Sequence, residues 1–89
     1  MTERDDTLLE FPCDFPIKAM GPAVPEFQER VLAIVRRHAP ELPDDAVETR
    51  ASRNGRYVSM TFHVHARDKA QLDAIYQDLT GCELVTVAL

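Results

Sequence analysis

Tyr57-Val58-Ser59-Met60-Thr61-Phe62-His63-Val64-His65-Ala66 decides the fold, because its side chains alternate without a slip. Val58, Met60, Phe62, Val64 and Ala66 fall on one side, and Tyr57, Ser59, Thr61, His63 and His65 on the other. Alternation with period two over ten residues predicts a strand with one face in a core. Arg53-Asn54-Gly55-Arg56 precedes it, and Asn-Gly signals a two-residue type I′ hairpin loop, which needs positive φ at both central residues. Such a loop pairs residues whose numbers sum to 109. Ala51, Thr49 and Val47 then oppose Val58, Met60 and Phe62 on the core face, and Ser52, Arg50 and Glu48 oppose Tyr57, Ser59 and Thr61 on the other. Both faces come out consistent, as register demands.

Working upstream, Phe15 to Met20 reads as a strand with Phe15, Ile17 and Ala19 inward. Met20-Gly21-Pro22 ends it in a tight strand-to-helix turn, a place suited to the conformational freedom of glycine. Phe11-Pro12-Cys13-Asp14-Phe15-Pro16 reads as a stiff, non-helical lead-in. Pro25 fits the first position of a helix, whose apolar stripe is Phe27, Val31, Ile34 and Val35. Arg36, Arg37 and His38 complement the negative end of its dipole, and Pro40 stops it. Asp44 and Asp45 fall in a connecting loop.

Downstream, Asp68 and Gln71 form a capping-box-like start to a second helix. Its stripe is Leu72, Ile75, Tyr76 and Leu79, with Gly81 as the stop. Leu84 to Leu89 reads as a last strand with Val85, Val87 and Leu89 inward. The order βαββαβ, with right-handed crossovers, predicts an α+β ferredoxin-like domain. Its four-stranded antiparallel sheet has the order 4-1-3-2, with both helices on one face. Lys18, Glu48, Arg50, Tyr57, Ser59, Thr61, His63, His65 and Thr86 are left on the bare face.

The chain has 89 residues, enough for one small core. Residues 1–10 read as a flexible tail and residues 11–89 as the domain. No stretch has the make-up of a signal peptide or of a membrane span, so the expected location is the cytoplasm. Cys13 and Cys82 fit no paired motif and are expected to be reduced there. Net charge is −5, which argues against nucleic acid and anionic membranes as general partners. Residues 50–69 run against the total, with Arg50, Arg53, Arg56, Arg67 and Lys69 against Asp68.

Candidate chemistry is sparse. His63 and His65 share a strand face about 7 Å apart at Cα, and an extended first hairpin strand would bring Asp44 opposite His65. A metal site needs three or four ligands, and no further Cys or His joins this face. No metal or cofactor is therefore assigned. Ser59 and Thr61 beside His63 point in parallel rather than converging on one atom, and no phosphate loop or nucleophile elbow is present. No residue is assigned a catalytic role. An RNA-recognition surface would stack bases on aromatics, and this face has Tyr57 alone. The expectation is a module that binds through Lys18, Arg50, Tyr57, Ser59, Thr61, His63 and His65. A small metal-dependent or acid–base enzyme built on His63, His65 and Asp44 is the alternative.

Leu9-Glu10-Phe11-Pro12, Phe15, Lys18, Met20-Gly21, His38-Ala39-Pro40, Ser52 with Gly55, Tyr57, Ser59, Thr61 and Val87-Ala88-Leu89 together resemble the YbeD-like family of small bacterial proteins of unknown function. The resemblance implies a ferredoxin-like fold similar to the amino-acid-binding regulatory (ACT-type) domains of metabolic enzymes, and a genetic association with lipoate attachment and synthesis. In ACT-type domains the effector sits near the first strand–helix turn, at an interface between two copies. The corresponding residues are Met20, Gly21 and Ala23, where backbone N–H groups and a helix start could accept a carboxylate. A homodimer or another protein partner, and a small carboxylate effector, are the implied partners.

Overall fold

The computed structural model describes residues 10–89. The expected tail, with Leu8 and Leu9, lies outside the described residues apart from Glu10. In chain order the elements are β1 (Cys13–Pro22), α1 (Pro25–His38), a 3-10 turn (Asp44–Ala46), β2 (Val47–Ala51), β3 (Tyr57–Ala66), α2 (Lys69–Thr80) and β4 (Val87–Ala88). The four strands make one antiparallel sheet in the order β2-β3-β1-β4, the ferredoxin-like arrangement expected from the sequence.

Alternation along β3 builds the core. Val58, Met60, Phe62, Val64 and Ala66 are buried and join Ile17 and Ala19 of β1. Phe27, Val31 and Val35 of α1 and Leu72, Ile75 and Leu79 of α2 close over them as one cluster. Burying each large apolar side chain contributes about 1.5–3 kcal/mol. Ile34 and Tyr76, expected in the helix stripes, are half-buried at the flanks.

The hairpin has the expected register, Val47 to Phe62 through Ala51 to Val58, on a different loop. Among the described residues the only positive φ is that of Gly55, at 77°, so a type I′ turn is absent. The Ser52 N–H donates to the Tyr57 carbonyl at 2.8 Å, and the Gly55 N–H to the Ser52 carbonyl at 3.0 Å. Residues 53–56 thus form a four-residue loop. Asn54 Oδ1 holds it by accepting from the Ser52 hydroxyl and the Arg56 N–H. Two- and four-residue loops centred on the same Asn54–Gly55 bond leave the pairing unchanged. Thr49 and Ala51 point to the core side but are exposed: β2 is the edge strand, and the helices do not reach over it.

β1 is longer than expected, and Gly21 lies within it, opposite Val58. Its φ is ordinary; the requirement there is space. A Cβ on Gly21 would fall on the Phe27 ring and the Leu84 carbonyl oxygen. Pro16 and Pro22 share one parity with Lys18, whose N–H donates to the Leu89 carbonyl on the β4 side. Residues of odd number face β3, as the Ala23 N–H to Arg56 carbonyl bond shows. The prolines therefore fall where β3 asks for no donor, which lets a central strand hold them.

The last strand is shorter than expected and turned over. Ala19 opposes Ala88 and Met20 opposes Val87, so Ala88 takes the core side. Val87 and Leu89, expected inward, lie on the open face at 39% and 65% exposure. Val85 and Leu84 are half-buried beside the core.

Candidate functional site

Rows across the bare face follow directly from the register. Leu89, Lys18, Thr61 and Glu48 form one row, and Val87, Met20, Ser59 and Arg50 the next. Pro22 and Tyr57 follow toward the hairpin tip, Pro16 with His63 and Asp14 with His65 toward the other end. All seven residues of the expected interaction face are brought together. Ser59 and Thr61 are half-buried; Lys18, Arg50, His63 and His65 are exposed, and Tyr57 is 49% exposed.

Each histidine has its own carboxylate. His63 Nε2 lies 3.4 Å from Glu48 Oε2, on the diagonal to β2. His65 Nδ1 lies 3.0 Å from Asp14 Oδ1, directly across on β1. Asp44 does not join them. β2 starts only at Val47, and the 3-10 turn carries Asp44 to Arg36, with Nη2 and Oδ1 2.6 Å apart. Among the described residues no three His, Cys, Asp or Glu side chains gather to hold a metal ion.

Cations divide into two sets. Arg30, Arg36, Arg37, Arg67 and Lys69 each lie within 4.0 Å of a carboxylate. Among the described residues Lys18, Arg50, Arg53 and Arg56 do not, and these four belong to the open face and the hairpin loop. Lys18 and Arg50 flank a depression of about 310 Å³ lined also by Glu48, Thr49, Ser59 and Thr61.

The turn after β1 is closely engaged. The Ala23 N–H donates to the Arg56 carbonyl, the Val24 N–H to the Pro22 carbonyl at 2.8 Å, and the Phe27 N–H to the Val24 carbonyl. Pro25 has no N–H to offer. Met20 is half-buried on the open face, Gly21 is buried against Phe27, and Ala23 is exposed.

His38 does more than complement a dipole. Its Nε2 lies 2.6 Å from Asp78 Oδ2 on α2, and Arg37 approaches the same oxygen at 3.4 Å. The hydrogen bond from His38 is the main cause holding the Asp78 carboxyl below the usual carboxylate range, with the charges of His38 and Arg37 adding to it and partial burial opposing it. Residues missed in the sequence are Val87 and Leu89, which join Met20 as an apolar border of the open face. Their only sequence signal was a two-residue strand that alternates equally well either way.

A four-stranded antiparallel sheet with both helices on one side and the other side open defines an α+β ferredoxin-like domain with a free sheet face. Residues 6–89 match the family described as "Protein of unknown function (DUF493)". The chain belongs to this family of small bacterial proteins, in keeping with the YbeD-like resemblance of its sequence. A UPF0250 protein of Nitrosomonas europaea is 46% identical over 89 residues, covering all of both chains. One from Neisseria gonorrhoeae is 46% identical over 91 residues, again covering both. One from Hahella chejuensis is 38% identical over 88 residues, covering 99% of this chain and 97% of its own.

Proposed function

We propose that this protein is a small cytoplasmic regulatory or interaction module that works through its open sheet face. The observation that carries this reading is the concentration of unpaired cations beside an apolar border on a face that no described element covers. Water alone would select a polar face; it gives no reason for Tyr57, Val87 and Leu89 to be three of the four exposed large apolar side chains among the described residues. A second copy or another protein seated there would bury them. Among the described residues no helix is long and apolar enough to cross a membrane.

Placing an effector carboxylate at Met20, Gly21 and Ala23 has less support, because the N–H groups of Ala23, Val24 and Phe27 already have partners. The acid–base enzyme built on His63 and His65 also has less, since both histidine–carboxylate pairs stand exposed on a flat surface rather than converging in a cleft.

Sedimentation velocity over a range of concentrations, with a thermal-shift panel of small carboxylates, tests the reading. Self-association weakened by Tyr57→Asp or Leu89→Asp supports it. So does stabilisation by a carboxylate, which reaches about 2.7 kcal/mol at a hundred times the dissociation constant. A protein that stays monomeric and gains nothing from any carboxylate overturns it.

A further inference from the structure

We propose that the depression between Lys18 and Arg50 binds a small carboxylate carrying a single negative charge. The proposal rests on the open face being the working surface, and it adds a place and a charge to it.

The floor is built by β3. Ser59 and Thr61 are two apart on one strand face, so their side chains stand parallel about 7 Å apart at Cα. Both are half-buried, and no other described side chain takes their hydroxyls. A hydroxyl donates to an oxyanion without adding charge. β1 and β2 supply the walls. Lys18 opposes Thr61 and Arg50 opposes Ser59, so the two cations stand on opposite flanks and one residue pair out of step. From strand spacing their Cα atoms are about 12 Å apart, and both long side chains can converge on one small group between them. Arg50 can engage two carboxylate oxygens at once, while Lys18 adds a compact point charge.

Glu48 sets the charge of the guest. It lines the same depression, opposite Thr61, and leaves the walls with a net charge of one positive unit. A carboxylate with one charge neutralises this. A dianion or a polyphosphate meets Glu48 repulsion with no third cation in the depression. The volume of about 310 Å³ matches a compact guest at the small end of ligand sites.

Proton–nitrogen correlation spectra titrated with sodium acetate, against sodium chloride at equal ionic strength, test this directly. Acetate is expected to shift the amides of Lys18, Arg50, Ser59 and Thr61 along saturating curves. Lys18→Ala and Arg50→Ala should each weaken the apparent affinity about tenfold, while Glu48→Gln should tighten it. Succinate should bind no more tightly than acetate. Shifts equal to those with chloride, shifts centred elsewhere, or indifference to both cation substitutions overturn the proposal. Tighter succinate binding overturns the single-charge assignment. Since Tyr57→Asp and Leu89→Asp probe the apolar border and not this depression, loss of acetate binding with intact border effects removes the site and leaves the open-face reading standing.

Discussion

Gln71, in the first turn of α2, donates its Nε2 hydrogen to the carbonyl of His38, the last residue of α1, at 2.8 Å. The same side chain accepts from the Arg67 N–H through Oε1 at 2.7 Å, and its backbone N–H donates to Asp68 Oδ1 at 2.9 Å. One carboxamide therefore closes the end of one helix and the start of the next.

Gln71 is 5% exposed, so its truncation leaves two backbone groups without partners in a place water hardly reaches. Gln71→Ala should destabilise the domain by about 2–3 kcal/mol. Urea unfolding of the variant would show it as a lowered midpoint with unchanged slope. A loss under about 0.5 kcal/mol would mean that water replaces both bonds.

Two glycines should respond to alanine for different reasons. Gly21→Ala places a methyl group against the Phe27 ring and a backbone oxygen, and overpacking of that kind costs about 1–3 kcal/mol. Gly55→Ala meets no atom within 4 Å but must hold a φ of 77°, costing about 1–2 kcal/mol. The two are separable in thermal melts by combining Gly21→Ala with Phe27→Leu, which should recover part of the first loss. Gly55→Asn should recover part of the second, because asparagine tolerates the left-handed region.

Phe62→Ala should cost about 3–5 kcal/mol, since Phe62 is fully buried in the middle of β3. That is a large part of the stability of a domain of this size. An equilibrium loss under about 1 kcal/mol would reverse the assignment of the two sheet faces.

Acid should find the contact between the helices. Asp78 has a lowered carboxyl pKa, held mainly by the hydrogen bond from His38. A depressed carboxylate contributes stability above its unfolded value and loses it as pH falls through the folded one. Asp78→Asn should therefore be less stable than wild type near about pH 6 and should converge with it below the carboxylate range. Parallel stability curves from about pH 6 down to pH 2 would contradict the pairing.

Much of this architecture was legible because it is periodic. The β3 alternation, the hairpin register and the helix stripes each repeat a pattern that only one face can satisfy. The register even survived a wrong turn type, since a four-residue loop shares its centre with the two-residue one. β4 was not legible: Val85, Val87 and Leu89 alternate with Thr86 and Ala88, and the choice of face falls to the pairing of Ala88 with Ala19. His38 was read from its own helix, while its partner Asp78 lies on the other. The seven residues of the open face followed from alternation alone. Which of its cations stay unpaired did not, because that depends on carboxylates brought to Arg36, Arg37 and Arg67 by the tertiary fold.

The parity of the prolines in β1 has a consequence for behaviour at high concentration. On the β4 side no described residue pairs with β1 before Lys18, and exposed backbone at such a margin can recruit another chain into a growing ribbon. Of the β1 positions 14 and 16 on that margin, only Asp14 keeps an N–H. An incoming strand would meet a missing donor at Pro16 and a charge at Asp14. The residues that let a central strand carry proline thus make the same margin a poor seed for polymerisation.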